Sequence, residues 1–215
     1  SHVSISDGMI DERVRLYGSS QVDMTGGEIE DGTSVYTGSQ FDMSAGSIGS
    51  NCFSGCLPAI TAAGGEVLIS GGTVQGTVLA TSGGLVSFSG DAVSDEFIAQ
   101  DGSTVNISGG VLGSDSSASD STVEISGGAV GDRFVATDST VNISGGGLGD
   151  FATLDSGSVL NVSGGTIGKS LRANPGSEVN FSGGRVKSSF SAAGGQVSIT
   201  GGSIDRLGVF ANSSV

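Results

Sequence analysis

Tryptophan is absent, there are two prolines, and the single histidine is His2. Each shortage closes off a class of explanation. One histidine, at the second position, cannot build a Ser-His-Asp or Cys-His catalytic arrangement. The only cysteines, Cys52 and Cys56 in the string NCFSGC, cannot make a zinc site without further ligands. They read either as a short-loop disulfide turned at Gly55 or as a pair of thiols. Basic residues number 8 against 22 acidic ones, for a formal net charge of −14. So negative a surface repels phosphate backbones and anionic lipid, which sets nucleic acid and membranes aside as partners. No apolar run approaches a membrane span, so no membrane insertion is expected. No signal peptide is visible, and a mature secreted chain would show none. Forty glycines with 5% aromatics would, on composition alone, suggest disorder. Periodicity overrules that reading.

One phrase is spelled repeatedly. TVNISGG occupies 104–110 and 140–146, with TVEISGG at 122–128, VLNVSGG at 159–165 and EVNFSGG at 178–184. The first apolar residue of each unit falls at Val3, Val22, Phe41, Val67, Val86, Val105, Val123, Val141, Leu160, Val179 and Val197. The steps are 18 or 19 residues, except for one of 26, and eleven units fill the chain. Such a period is the signature of a solenoid.

Within a unit the apolar positions are fixed. Counting from Val179, Phe181 stands at +2, Val186 at +7, Phe190 at +11 and Ala192 at +13. Pairs two apart share one face of a strand, and no 3.6-residue period appears. The spacing predicts an all-β chain: a parallel β-helix of about eleven coils with three short strands in each. The offsets do not fit a left-handed hexapeptide helix, so the right-handed form is expected. Each coil adds about 4.8 Å, giving a rod roughly 50 Å long. Gly-Gly at +4 and +5 turns a corner, and the Ser or Thr at +3 is expected to satisfy turn amides. The Asn-x-Ser strings at Asn106, Asn142, Asn161 and Asn180 match glycosylation sequons but follow from the repeat itself.

One unit breaks the rhythm. Residues 49–59 lie between Ile48 and Ile60, where other units need only a corner, so they are read as an inserted loop. The chain is otherwise read as one β-helix domain over 1–215. Neither end resembles a cap, so flanking domains of a longer protein, or self-association, are expected to cover them.

The VNISGGxxGxxFxA units resemble the short-coil repeats of bacterial extracellular β-helix proteins: autotransporter-like adhesin passengers, phage tailspikes and β-helical polysaccharide lyases. The resemblance covers the whole chain but lives in scaffold residues. It implies an extracellular or cell-surface location and a glycan-facing role, and it carries over no catalytic residue.

Function on a solenoid belongs to outward positions. Arg13, Arg15 and Tyr17 alternate outward in the first unit, and Tyr36 should stack on Tyr17 from the next. Arginine neutralises uronate carboxylates, and tyrosine stacks on sugars or acts as a base in β-elimination. An end-of-rod patch facing an upstream domain accounts for them equally. Acidic residues recur at +9, with Glu12 over Asp31 and Asp132 over Asp150. Stacked carboxylates would take Ca²⁺ or else form a solvated acidic ridge. Lys169, Arg172, Arg185, Lys187 and Arg206 gather in the last three units, where they would meet an anionic polysaccharide, a partner or only solvent. Asp95 or Glu96 with a neighbour across coils would make a glycosidase pair. The leading expectation is a non-enzymatic, adhesive or structural rod segment. The alternative is a lyase or depolymerase module using the Arg13–Tyr36 group or the basic end.

Overall fold

A computed structural model describes residues 1–49, 57–210 and 213–214. It is an all-β parallel solenoid of about eleven turns, without helix among the described residues. In most turns the unit strand is short because the chain bends at its glycines after four residues, as at Thr122–Ile125 before Gly127 and Gly128. What holds such a strand is its copy one turn away.

The first strands of all eleven turns form one unbroken parallel ladder. Val3 lies opposite Val22, Val22 opposite Phe41, and Phe41 opposite Val67. The pairing continues through Val86, Val105, Val123, Val141, Leu160 and Val179 to Val197. Val105 and Val123 are therefore direct partners. A further rung begins where Gln196 bridges Ser214 and the Val197 N–H donates to the Ser214 carbonyl at 2.9 Å. Second and third strands form two more faces in the same way, for example Leu112 on Val130 and Ala118 on Ala136.

The three strands are not always separate. The first runs into the second over Gln21–Ile29 and Gln40–Ile48. The second runs into the third over Thr73–Thr81, Val93–Ala99, Arg185–Ala192 and Ser203–Val209. The long step is resolved by register. Ile48 pairs with Val74 on the second face, while Ile60 pairs with Thr33 and Val78 on the third. Residues 49–59 therefore fall, in sequence, between the second-face strand that ends at Ile48 and the third-face strand that begins at Ile60.

The core is a stack of single columns, and side chains are fitted between turns as well as within them. Phe97 and Phe134 stand two turns apart, yet their ring centroids are only 6.0 Å apart. Ser116, from the intervening turn, occupies the aromatic column between them and leaves the space into which both rings tilt. Its hydroxyl accepts the Phe97 N–H at 3.1 Å, so the small polar residue is both filler and partner. In the next turn but one the sizes are exchanged, with Ala152 at +11 and Leu154 at +13, both buried.

The serine at +3 acts otherwise than expected. It donates to the strand-end carbonyl of the preceding turn: Ser70 to Met43, Ser108 to Phe88 and Ser182 to Val162, at 3.2–3.3 Å. Each of these carbonyls also accepts the serine's own N–H, at 2.8–2.9 Å, so the hydroxyl adds a second bond to an oxygen with two lone pairs. The two glycines follow for a steric reason. A Cβ on Gly127 would sit 2.2 Å from the Ser108 carbonyl oxygen, and Gly128 has φ of +67°. The repeated phrase is thus strand, inter-turn hydroxyl and a corner where two backbones nearly touch.

Candidate functional site

At the first two turns, the third strand carries the tyrosines. Parallel register sets Leu16 opposite Val35, so the next residues outward, Tyr17 and Tyr36, fall in one column. Their rings stack face to face, centroids 4.6 Å apart and planes within 4°. Tyr17 is 59% exposed, and Arg15 beside it is exposed as well. Arg13 is committed elsewhere. Its guanidinium donates to Ser34 Oγ at 3.1 Å and to the Pro58 carbonyl at 2.6 Å, which ties down the point where the inserted segment rejoins the rod. Burial, and then the charge of Arg15, pulls its pKa below the ordinary arginine value, while Asp31 and Tyr36 pull it up. The exposed group is therefore Arg15 and Tyr17, with Tyr36 half-buried against Tyr17.

The acidic column is bonded along the rod. Asp132 Oδ1 accepts the Asp150 N–H, and Asp150 Oδ1 accepts the Lys169 N–H, each at 2.7 Å. Each carboxylate thereby satisfies a corner amide that the next turn cannot. Glu12 and Asp31 are exposed at the corresponding corner of the first two turns. Among the described residues no three His, Cys, Asp or Glu side chains converge as ligands for a metal ion.

Asp95 and Glu96 border an open hollow of about 560 Å³ with Thr77, Ser114, Asp115 and the exposed Val93 and Val111. Asp95 accepts the Gly76 N–H at 2.7 Å, and Glu96 accepts the Thr77 hydroxyl at 2.6 Å. Asp115 takes two bonds from Arg133, at 2.7 and 2.6 Å. Those bonds, and then the arginine charge, hold the Asp115 carboxyl below its ordinary pKa and lift that of Arg133. A general acid needs the opposite shift.

The basic residues spread over two faces and the corner between them. Arg185 Nη2 meets Asp205 at 3.2 Å, and Lys169 Nζ lies 3.9 Å from Asp150. Arg172 donates to Asn174 Oδ1 at 2.6 Å. Among the described residues Arg172, Lys187 and Arg206 have no ion pair, and all three are exposed. Cys52 and Cys56 lie outside the described residues, as does most of 49–59.

Sequence reasoning missed the first face. Between its outward columns at +1 and +3 runs a groove that opens twice. Over the second to fifth turns it measures about 350 Å³, lined by Asp23, Asp42, Leu68, Ser44 and Ser70 among others. Over the eighth to tenth it measures about 250 Å³, between Asn142, Asn161 and Asn180 on one side and Ser144, Ser163 and Ser182 on the other. The signal was present in the repeated Asn-x-Ser strings, where Asn and Ser two residues apart point outward together. Among the described residues no helix is long and apolar enough to cross a membrane. Comparison with protein-family models, with curated proteins and with solved structures finds no match.

Proposed function

We propose that this chain is a non-catalytic rod segment acting outside the cell or at its surface, and that its outer columns face glycans. One observation carries the reading: inward positions repeat from turn to turn while the outward column of the third face changes, so the ladder holds a changing row of side chains at fixed spacing. Column +12 runs Arg15, Ser34, Thr61, Leu79, Ile98, Ser117, Val135, Thr153, Arg172 over a core that keeps the same offsets. A scaffold that displays groups needs that separation, with function on the variable surface and packing on the constant one. The carboxylates around the hollow are also spent on neighbours, Asp95 on Gly76, Glu96 on Thr77 and Asp115 on Arg133. The resemblance to bacterial adhesin passengers, tailspikes and polysaccharide lyases belongs to this proposal and suggests the extracellular setting.

The lyase reading keeps one supporting feature, the exposed Arg15 beside the stacked pair Tyr17 and Tyr36. Incubation with soluble neutral and anionic polysaccharides separates the two. The rod reading expects retarded migration in glycan-containing gels and no rise in ultraviolet absorbance from unsaturated sugars. Turnover that disappears in Tyr17→Phe would establish the lyase, and absence of binding to every polymer would remove the glycan-facing part.

A further inference from the structure

We infer that the groove over the eighth to tenth turns binds one uncharged, linear polysaccharide chain laid parallel to the rod axis, an inference that rests on the glycan-facing reading above. The walls are chemically distinct. On one side the asparagine amides are locked head to tail: Asn180 Nδ2 donates to Asn161 Oδ1 at 3.0 Å, and Asn161 Nδ2 donates to Asn142 Oδ1 at 2.8 Å. The row ends on a charge, with Asn142 Nδ2 donating to Glu124 Oε1 at 2.6 Å. A primary amide has two N–H groups, and Asn142 and Asn161 each use one within the protein. The second is left for a ligand. On the other side Ser163 and Ser182 give their only protons to the Ile143 and Val162 carbonyls, at 3.5 and 3.2 Å. Their oxygens remain as acceptors. One wall therefore offers donors at Asn142 and Asn161 and the other offers acceptors, in successive turns about 4.8 Å apart along the axis, while Asn180 spends both N–H groups on Asn161 and Glu178.

A hydroxyl is the group that both donates and accepts, and a polymer bearing hydroxyls on every residue fits a row of such pairs. An extended peptide fits less well, because its hydrogen-bonding groups on one side recur every two residues, about 6.6 Å apart. Charge decides between glycan classes. No lysine or arginine lines this groove, Glu124 and Glu178 stand beside its asparagines, and the whole chain carries −14. An anionic polymer would enter against that field. Locked amides also carry little ordering cost on binding, which favours an extended ligand held by many weak contacts.

The test uses the full chain in affinity electrophoresis with galactomannan, xyloglucan and dextran as uncharged probes, polygalacturonate as the anionic one and chitosan as the cationic one. An uncharged probe should retard the protein. Asn161→Asp, which removes the donor and adds a charge, and Ser163→Ala, which removes an acceptor, should each weaken retardation about tenfold or less, in proportion to the bonds lost. Both variants should keep the parent's circular dichroism, and Tyr17→Ala should bind as the parent does. Retardation unchanged in both groove variants would overturn the inference, as would preference for polygalacturonate or chitosan. If binding falls only in Tyr17→Ala or Arg172→Ala, the groove is wrong and the glycan-facing reading stands. If no probe is retarded, both fall.

Discussion

The turn that begins at Val86 and the four that follow it are built from the same phrase, yet they bend differently. In the later four the second corner closes through a glycine and then a left-handed residue. Asp115, Arg133, Phe151 and Ser170 have φ between 61° and 68° in successive turns. In the Val86 turn one residue is added at the first corner and one is dropped at the second. Val93 and Ser94 pair with Thr73 and Val74, the register slips, and Glu96 pairs with Thr77. The strand then runs unbroken over Val93–Ala99, and the turn keeps its length. A solenoid thus tolerates a displaced residue when the same turn corrects it. The cost stays local: Ser94, 4% exposed in a column otherwise filled by Val74 and Leu112, has no hydrogen-bond partner for its Oγ.

The regular turns break most easily where their backbones nearly touch. Gly146 has φ of +67°, and a Cβ there would lie 2.5 Å from the Gly127 carbonyl oxygen. Gly146→Val is expected to cost about 4 kcal/mol or more in guanidinium unfolding. Gly102 shares the positive φ, at +73°, but a Cβ there meets nothing within 4 Å. Gly102→Ala should therefore cost only about 1–2 kcal/mol. Equal losses would show that backbone conformation, not inter-turn approach, selects these glycines.

The irregular turn should respond with the opposite sign. Ser94→Val replaces an unpartnered buried hydroxyl by the residue type of its column, and a gain of about 1–3 kcal/mol is expected. A loss, read from the same unfolding midpoints, would mean that the hydroxyl has a partner in solution.

The smallest effect concerns the left-handed corner and its exposed ion pair. Arg133 holds the Asp115 carboxyl below its ordinary pKa. A carboxyl depressed in the folded state stabilises above its unfolded pKa, and that contribution is lost as pH falls through the folded value. Arg133→Ala should return Asp115 toward the ordinary carboxylate range in an NMR titration and remove this acid-side dependence. Thermal stability at neutral pH should barely change, since exposed pairs contribute little. A large neutral-pH loss would instead place the effect in the left-handed backbone of residue 133.

The parallel ladder was legible in the sequence because identical residues must stack at identical offsets, and Val105 does pair with Val123. The stacking of Tyr17 on Tyr36 was legible for the same reason. What the letters hid were departures inside a turn of unchanged length. Val93 sits at the spacing of a core residue, yet it is 44% exposed while Ser94 is buried. A constant step of 19 conceals two compensating shifts, and only hydrogen-bond register exposes them. Arg13 was hidden differently. Its partner Pro58 is 45 residues away, beyond an insertion whose return no spacing rule fixes. The asparagine row was visible as a motif, but its role depends on which atom each amide gives to the next, and letters do not encode that.

One consequence follows from the ladder for the way the chain reaches its shape. Nearly every pairing joins segments a single turn apart, so contact order is low for an all-β chain. Any two adjacent turns can serve as a nucleus, and order can spread from there like a zipper, each added turn losing only its own chain entropy. The step from Phe41 to Val67 demands a larger loop closure than its neighbours. A growing stack should therefore hesitate there, with the turns up to the Phe41 strand and the eight from Val67 onward forming cooperative blocks on either side.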